Sequence, residues 1–116
     1  NRAFAGLTSV QPGATLEEIV FRCRMRTFDG DAMDVADMPE SRALSGETVS
    51  SMLVRMRPPG RDHDVILAVN GQPARDAAGK VVAAVLLSRP ISEEVAMAIE
   101  VRRLAEDRSE STNGVR

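Results

Sequence analysis

Side chains that could do chemistry are few in this sequence. It contains one cysteine, Cys23, and one histidine, His63, and it has no tyrosine or tryptophan. A nucleophile with a base and an orienting group would therefore have to come from Ser, Lys and Asp alone. The sole lysine, Lys80, lies in a predicted turn. We therefore predict that the chain is not an enzyme.

One segment is a candidate for metal binding, because it brings several aspartates close together: Asp29, Asp31, Asp34 and Asp37. Their spacing lacks the glycine and the terminal bidentate glutamate of an EF-hand loop. A solvated acidic loop is the better interpretation. A single cysteine also excludes an internal disulfide and a multi-cysteine site. We predict no metal.

Charge and hydropathy exclude further classes of protein. Fifteen basic residues are interleaved with seventeen acidic ones, and the net charge is −2. The sequence has neither the basic stripe nor the aromatic platform that nucleic-acid binding needs, so we predict no nucleic-acid partner. No apolar run reaches the roughly 18 to 20 residues of a membrane span, and no signal peptide is visible. Together with the lone thiol, these features predict a cytoplasmic protein without membrane insertion.

Length and composition predict one compact domain with an aliphatic core, since 43% of the 116 residues are hydrophobic and 28% are charged. In the first half, the pattern predicts a short helix over residues 1 to 8. A capping box then predicts a second helix over residues 15 to 25. A third short helix is expected to begin around Pro39 and to end at Gly46.

Three strands are predicted next, over residues 49 to 57, 63 to 71 and 80 to 88. The first has a period of two, with Met52 and Val54 on one face, as a half-buried strand requires. The third is apolar on both faces, which is typical of a covered strand. Because the connections are short, the three strands should form an antiparallel meander.

A final helix is predicted over residues 92 to 108, and its first residue is a suitable N-cap. Met97, Val101 and Leu104 form a narrow apolar stripe along it. This stripe is either a coiled-coil seam or a contact with the sheet. Residues 109 to 116 are polar and are predicted to be a disordered tail.

This order of elements resembles the later part of a PAS sensory domain. Short stretches spread over about residues 1 to 95 resemble the family as well: Asn1-Arg2-Ala3-Phe4, Leu7-Thr8, Phe28-Asp29-Gly30, Met38-Pro39, Arg42-Ala43-Leu44-Ser45-Gly46-Glu47, Gly71-Gln72-Pro73-Ala74-Arg75-Asp76 and Gly79-Lys80-Val81. The family's first two strands have no counterpart, so only three sheet strands are expected here. Either upstream sequence or a swapped partner chain would complete the sheet.

The resemblance implies an α+β fold, in which an antiparallel sheet carries short helices on one face and leads into a C-terminal signalling helix. The implied boundaries are a PAS-like core over residues 1 to 91, partial at its N-terminus, the signalling helix over residues 92 to 108 and the tail after it. Many family members carry Asp-Ile-Thr where the last strand meets this helix. Here the stretch is Pro90-Ile91-Ser92, which lacks the aspartate that often links sheet to helix.

The family also implies a pocket between the sheet and the short helices. The candidates for its lining in this sequence are Ile19, Met52, Val54, Leu67, Val69 and Val85. Because this lining is apolar, we expect a lipid-like or aromatic ligand rather than a charged metabolite.

Two branches of the family bind cofactors, and neither cofactor is predicted here. The light-sensing LOV branch forms a flavin adduct through the Cys of Asn-Cys-Arg-Phe-Leu-Gln, with which Arg22-Cys23-Arg24-Met25-Arg26-Thr27 shares only Cys-Arg. The predicted strands also lack that branch's paired Asn and its Gln, so Cys23 is interpreted as a small core residue. Haem-binding members usually carry their histidine on an earlier helix, whereas His63 begins a strand beside a turn and should be exposed.

The resemblance implies a role in signal transduction. We expect a regulatory input domain that senses a small apolar ligand or a partner, forms a homodimer and controls a linked effector such as a kinase, a phosphatase or a cyclase. The helix that carries Met97, Val101 and Leu104 would transmit the signal. The alternative is a ligand-free dimerisation or docking module, and a flavin photoreceptor is a third interpretation.

Overall fold

The computed structural model describes residues 6–10, 12, 16 and 23–115, and for residues 6–10 and 109–115 it describes the backbone alone. The strands within this part of the chain are β1 (Gly6–Val10), β2 (Arg26–Thr27), β3 (Val49–Met56), β4 (Val65–Arg75) and β5 (Val81–Ile91). They form one antiparallel sheet in the order β1-β5-β4-β3-β2.

The three longest strands, β3, β4 and β5, form the predicted meander. Both β4 and β5 extend beyond their predicted ends because they pair with each other as one long hairpin, which closes with Arg75 opposite Val81. Asp76 holds the turn of this hairpin, since its carboxylate accepts hydrogen bonds from the backbone N–H groups of Ala78 and Lys80, both over 2.9 Å.

β1 covers the free edge of β5, with Gly6 opposite Ser88. The predicted helix over residues 1 to 8 is therefore wrong for residues 6 to 8, while residues 1 to 5 lie outside the described part. Pairing with β5 satisfies backbone N–H and C=O groups of both strands, and this tertiary contact overrides the local helical pattern. The expectation of only three strands is also wrong, because β1 and β2 complete a sheet of five within the described residues.

The predicted helix over residues 15 to 25 lies mostly outside the described residues. At its end, Cys23 and Arg24 form a turn, and Arg24 has a φ of 49°. The backbone oxygen of Cys23 accepts a hydrogen bond of 2.8 Å from the N–H of Arg57, just after β3. The prediction is therefore wrong at residues 23 to 25, where the chain pairs with the sheet instead.

A 3-10 helix (Val35–Asp37) and helix α1 (Pro39–Leu44) lie between β2 and β3. The prediction for α1 is confirmed: Pro39 is in its first turn, and Gly46 follows its end with a φ of +102°. Pro39 and Ala43 are the buried residues of α1.

The C-terminal helix α2 (Glu93–Val115) begins as predicted. The side-chain oxygen of Ser92 accepts a hydrogen bond of 3.2 Å from the N–H of Val95, as an N-cap does. The backbone remains helical over residues 109–115, where the sequence predicts a disordered tail. Once a helix has begun, each further residue adds one backbone hydrogen bond, and no proline interrupts this stretch.

The two faces of the sheet carry different cores because successive side chains of a strand point to opposite sides. The inner face, which includes Val54 and Leu67, packs against α1. The outer face, which includes Ile66 and Ala68, packs against the fully buried Ala96 of α2. The short helices and the C-terminal helix thus cover opposite faces.

Candidate functional site

Most of the predicted lining residues meet on the inner face. Val54 on β3 and Leu67 and Val69 on β4 are 0%, 6% and 5% exposed. Val54 lies directly opposite Leu67, and Met52 lies opposite Val69. Met52 is half-buried and packs against the same cluster. The structure thus brings these four predicted residues together.

The other two predicted residues are not part of this group. Ala84 and Leu86 belong to the inner-face core, so Val85 between them points to the outer face. This corrects the predicted position of Val85. On a strand that is apolar on both sides, the sequence does not show which set of residues faces inward. Ile19 lies outside the described residues.

A cavity of about 60 Å³ lies between the inner face and α1. Three predicted residues line it: Val54, Leu67 and Val69. Five others that were not predicted line it too: Met25, Pro39, Glu40, Leu86 and Ser88. Ligand sites for drug-sized molecules typically measure about 300–1,000 Å³, so this cavity admits only a very small molecule.

Glu40 places a carboxyl group in this mostly apolar cavity. It follows Pro39 in the first turn of α1, on the side where Pro39 and Ala43 are buried. Its Oε1 is shielded from solvent and has no hydrogen-bond partner among the described residues. Burial raises the pKa of Glu40, and a hydrogen bond that its carboxylate accepts from the backbone N–H of the same residue offsets this only in part.

On the outer face, Arg55 joins the sheet to the beginning of α2. Its Nη2 donates to Oε2 of Glu93 over 3.1 Å, and its Nη1 donates to Oε1 over 3.4 Å. Its Nε donates to the backbone oxygen of Phe28 over 3.1 Å, and its guanidinium carbon lies 5.2 Å from the centroid of the Phe28 ring. Arg55 thus supplies a polar contact between sheet and helix, although Pro90-Ile91-Ser92 lacks the family's aspartate.

The beginning of α2 packs on the sheet, and its apolar stripe does not. Ala96 is fully buried and Ile99 is half-buried against the outer face. In contrast, Met97, Val101 and Leu104 are 50%, 57% and 52% exposed. We call these three residues the exposed stripe. Of the two interpretations that the sequence left open, packing of the stripe on the chain's own sheet is therefore wrong.

Asp64 binds two arginines between the end of β3 and the start of β4. Arg26 donates to it through Nη2 over 2.7 Å and through Nη1 over 3.1 Å, and Arg57 donates through Nε over 3.1 Å. The hydrogen bond from Arg26 is the main cause that lowers the pKa of Asp64. These contacts anchor β2 to the rest of the sheet.

The residues considered for flavin and haem lie in different surroundings. Cys23 is 8% exposed in the inner-face core, whereas His63 is exposed and its Nδ1 lies 3.1 Å from Oδ1 of Asp62. Within the described part of the chain, no three side chains of the metal-binding types cluster together. Nor does any helix of that part combine the length and the apolarity that crossing a membrane would need.

The chain is similar in fold to a Light-Oxygen-Voltage domain. A solved structure of such a domain, from work on a flavin analogue, matches with a TM-score of 0.57 over 90% of both chains, at 14% sequence identity. Comparisons with protein-family models and with curated proteins found no match. The chain therefore has a PAS/LOV-like α+β fold, which confirms the predicted fold class, and at this identity the likeness shows the fold alone.

Proposed function

We propose that the chain is a regulatory input domain that senses a small ligand or a partner and controls a linked effector through dimerisation and α2. The observation that carries the proposal is the arrangement of α2, whose first turns pack on the outer face while the exposed stripe is left open to solvent. A helix arranged in this way can carry a change in the sheet to whatever it contacts beyond the sheet. The PAS/LOV-like fold supports this role.

The strands offer a short route from the cavity to α2. Val54 lines the cavity, and the next residue, Arg55, holds the start of α2 on the opposite face. Leu67 lines the cavity as well, between Ile66 and Ala68 of the outer-face core. A ligand that displaces the inner side chains would therefore move backbone that also carries the helix contacts.

A second copy of the chain is the proposed partner of the exposed stripe. The stripe residues recur at the i, i+4 and i+7 positions, which is the spacing of an apolar seam between helices. Two such stripes can bury each other across a twofold axis and form a homodimer. A linked kinase, phosphatase or cyclase would then receive the signal through the paired helices.

The test removes the apolar character of the exposed stripe. The test variant carries Met97→Ser, Val101→Ser and Leu104→Ser. The control variant changes exposed residues on another side of the same helix: Ala98→Ser, Arg102→Ser and Ala105→Ser. We expect the test variant alone to lose the dimer in size-exclusion chromatography with light scattering, and to lose control of the effector. Unchanged dimerisation and output in the test variant would contradict the proposal.

One observation favours a second function, a ligand-free dimerisation or docking module. The cavity of about 60 Å³ is far smaller than an ordinary ligand site. Native mass spectrometry of gently purified protein distinguishes the two functions. A dimer that carries extra mass supports the ligand sensor, a bare dimer supports the docking module, and a bare monomer contradicts both.

A further inference from the structure

The chemistry of the inner cavity is uneven, because Glu40 contributes a carboxyl group and Ser88 a hydroxyl group, while the other described lining side chains are apolar. The hydrocarbon walls come from Val54, Leu67, Val69 and Leu86. Glu40 is the only charged side chain among the described residues that line the cavity. A molecule that fits this cavity must therefore be apolar over most of its surface and polar at one end.

The carboxyl group of Glu40 defines what that polar end must be. An ionised carboxylate only accepts hydrogen bonds, so its partner must be a donor. The described neighbours supply no donor to Oε1, and the adjacent Pro39 has no backbone N–H to offer. A buried carboxylate oxygen without a partner is unfavourable. A bound cation would supply the hydrogen bond that Oε1 lacks and would compensate the negative charge.

We propose that Glu40 is the recognition group for a short primary alkylamine, whose ammonium group donates to Oε1 while its alkyl chain lies against Val54, Leu67 and Val69. This proposal rests on the proposed function, since the cavity is the input site of the regulatory domain. It replaces the lipid-like or aromatic ligand expected from the apolar lining. An anionic ligand is disfavoured because it would place two like charges together.

The size of the cavity sets the length of the amine. Because about 10–15 Å³ of such space accommodates one water molecule, the 60 Å³ cavity has room for about four to six non-hydrogen atoms. An ammonium group with a chain of three or four carbons has this size. We therefore choose n-propylammonium as the probe and 1-propanol as its uncharged counterpart of equal length.

The experiment is an NMR titration of the 116-residue chain, followed through the methyl groups of Val54 and Leu67. For n-propylammonium we expect a Kd on the order of 1 mM, as a ligand of so few atoms allows. Glu40→Gln should weaken this binding by about tenfold or more, because a charge-assisted hydrogen bond is lost. Binding of 1-propanol should change by less than about threefold. Glu47→Gln, which removes an exposed carboxylate near the end of α1, should change neither affinity.

A second measurement needs no variant and so does not depend on how Glu40→Gln folds. The pKa of Glu40 is followed by the carbon-13 shift of its carboxyl group, with and without the probes. Saturating n-propylammonium should lower this pKa, since a nearby cation favours the charged form, and 1-propanol should not. Among the described cavity residues, Glu40 has no other charged neighbour that would produce the same response.

Two results would overturn the inference, and they bear differently on the proposed function. If wild type and Glu40→Gln bind n-propylammonium equally, Glu40 is not the recognition group, while the input-domain proposal stands. If wild type binds neither probe and the pKa of Glu40 does not move, the cavity takes no such ligand and the docking module is favoured. The stripe variants test the output through α2 independently of both results.

Discussion

The two faces of the sheet differ in whether their charged side chains have partners within the chain. On the outer face, Arg55 is matched by the carboxylate of Glu93 and by the oxygen and ring of Phe28. On the inner face, Oε1 of Glu40 has no partner among the described residues. A charged group that has its partners within the chain fixes the position of two elements relative to each other, here the sheet and α2. Where a charged group lacks a partner among the described residues, a bound ligand can supply one and so stabilise the fold.

The largest effect should come from truncating the inner-face core. Leu67→Ala removes a side chain that is 6% exposed, whereas Leu87→Ala removes one on the outer face that is 49% exposed. We expect the first change to lower the free energy of unfolding by about 2–5 kcal/mol, because it leaves a cavity among packed neighbours. The second should lower it by less than about 1 kcal/mol. Urea denaturation measures both, and equal losses would show that the inner face is not the main core.

A smaller loss is expected when a matched carboxylate is neutralised. Asp64→Asn keeps the shape of the side chain and removes the charge that Arg26 and Arg57 bind. We expect a loss of about 1–2 kcal/mol near pH 7, since charge-assisted hydrogen bonds to a partly buried carboxylate are weakened. Urea denaturation at low and at high salt checks this. A loss that is absent at low salt would mean that the cluster does not stabilise β2.

The same cluster should make stability depend on pH. The pKa of Asp64 is lowered in the folded chain from an ordinary value of 3.8. Its contribution is therefore fully present above that value and is lost as the pH falls through the lower, folded-state pKa. Denaturation curves of wild type and Asp64→Asn should thus converge in acid. Curves that stay parallel down to that range would contradict the assignment.

Neutralising the carboxylate of Glu40 should change stability in the opposite direction to Asp64→Asn. The pKa of Glu40 is raised by burial from an ordinary value of 4.5. Wild-type stability should therefore fall as the pH rises from about that value through the higher, folded-state pKa. Glu40→Met has a similar size and no charge. We expect it to raise the free energy of unfolding near pH 7 by about 1 kcal/mol in ligand-free protein, because it removes a buried oxygen that lacks a hydrogen bond. A loss of stability would show that the carboxylate is matched in solution.

Much of the fold could be predicted because its signals are local. The meander of β3, β4 and β5 shows as alternating apolar residues between turns, and α1 shows as Pro39 followed by Gly46. The cap of α2 shows as Ser92 before two glutamates. Each of these patterns depends on neighbouring residues, and the structure confirms each of them.

The features that could not be predicted depend on residues far apart in the chain. Arg55 and Glu93 are 38 positions apart, and the residues around neither of them indicate that the two form an ion pair. β1 exists because β5 offers it an edge, and residues 6–10 alone do not read as a strand. Glu40 lies in a sequence that indicates only a helix start. Its unmatched position follows from how α1 sits on the inner face, which no spacing in the sequence specifies.

The smallest effect on stability should come from Arg55→Gln, although this change removes the polar contact between sheet and helix. The Arg55 side chain is 18% exposed and that of Glu93 is 59% exposed, so solvent screens the pair and we expect a loss of only about 0.5–1 kcal/mol. The change should be easier to detect in the local stability of α2 than in the free energy of unfolding of the whole domain. Amide hydrogen exchange in the first turns of α2 should become faster, because Ala96 and Ile99 would then hold the helix without help from Arg55.

Arg103→Gln is the matched control for this change. It removes the same type of side chain from two ion pairs that lie entirely within α2, where Arg103 binds Glu100 over 2.8 Å and Asp107 over 3.1 Å. Its effect on exchange should therefore centre on the middle of α2, where these partners lie, and should leave the exchange of the first turn unchanged. If Arg55→Gln and Arg103→Gln gave the same exchange pattern, Arg55 would not be what ties the helix to the sheet. The outer face would then hold α2 through Ala96 and Ile99 alone, and any signal would have to pass through that apolar contact.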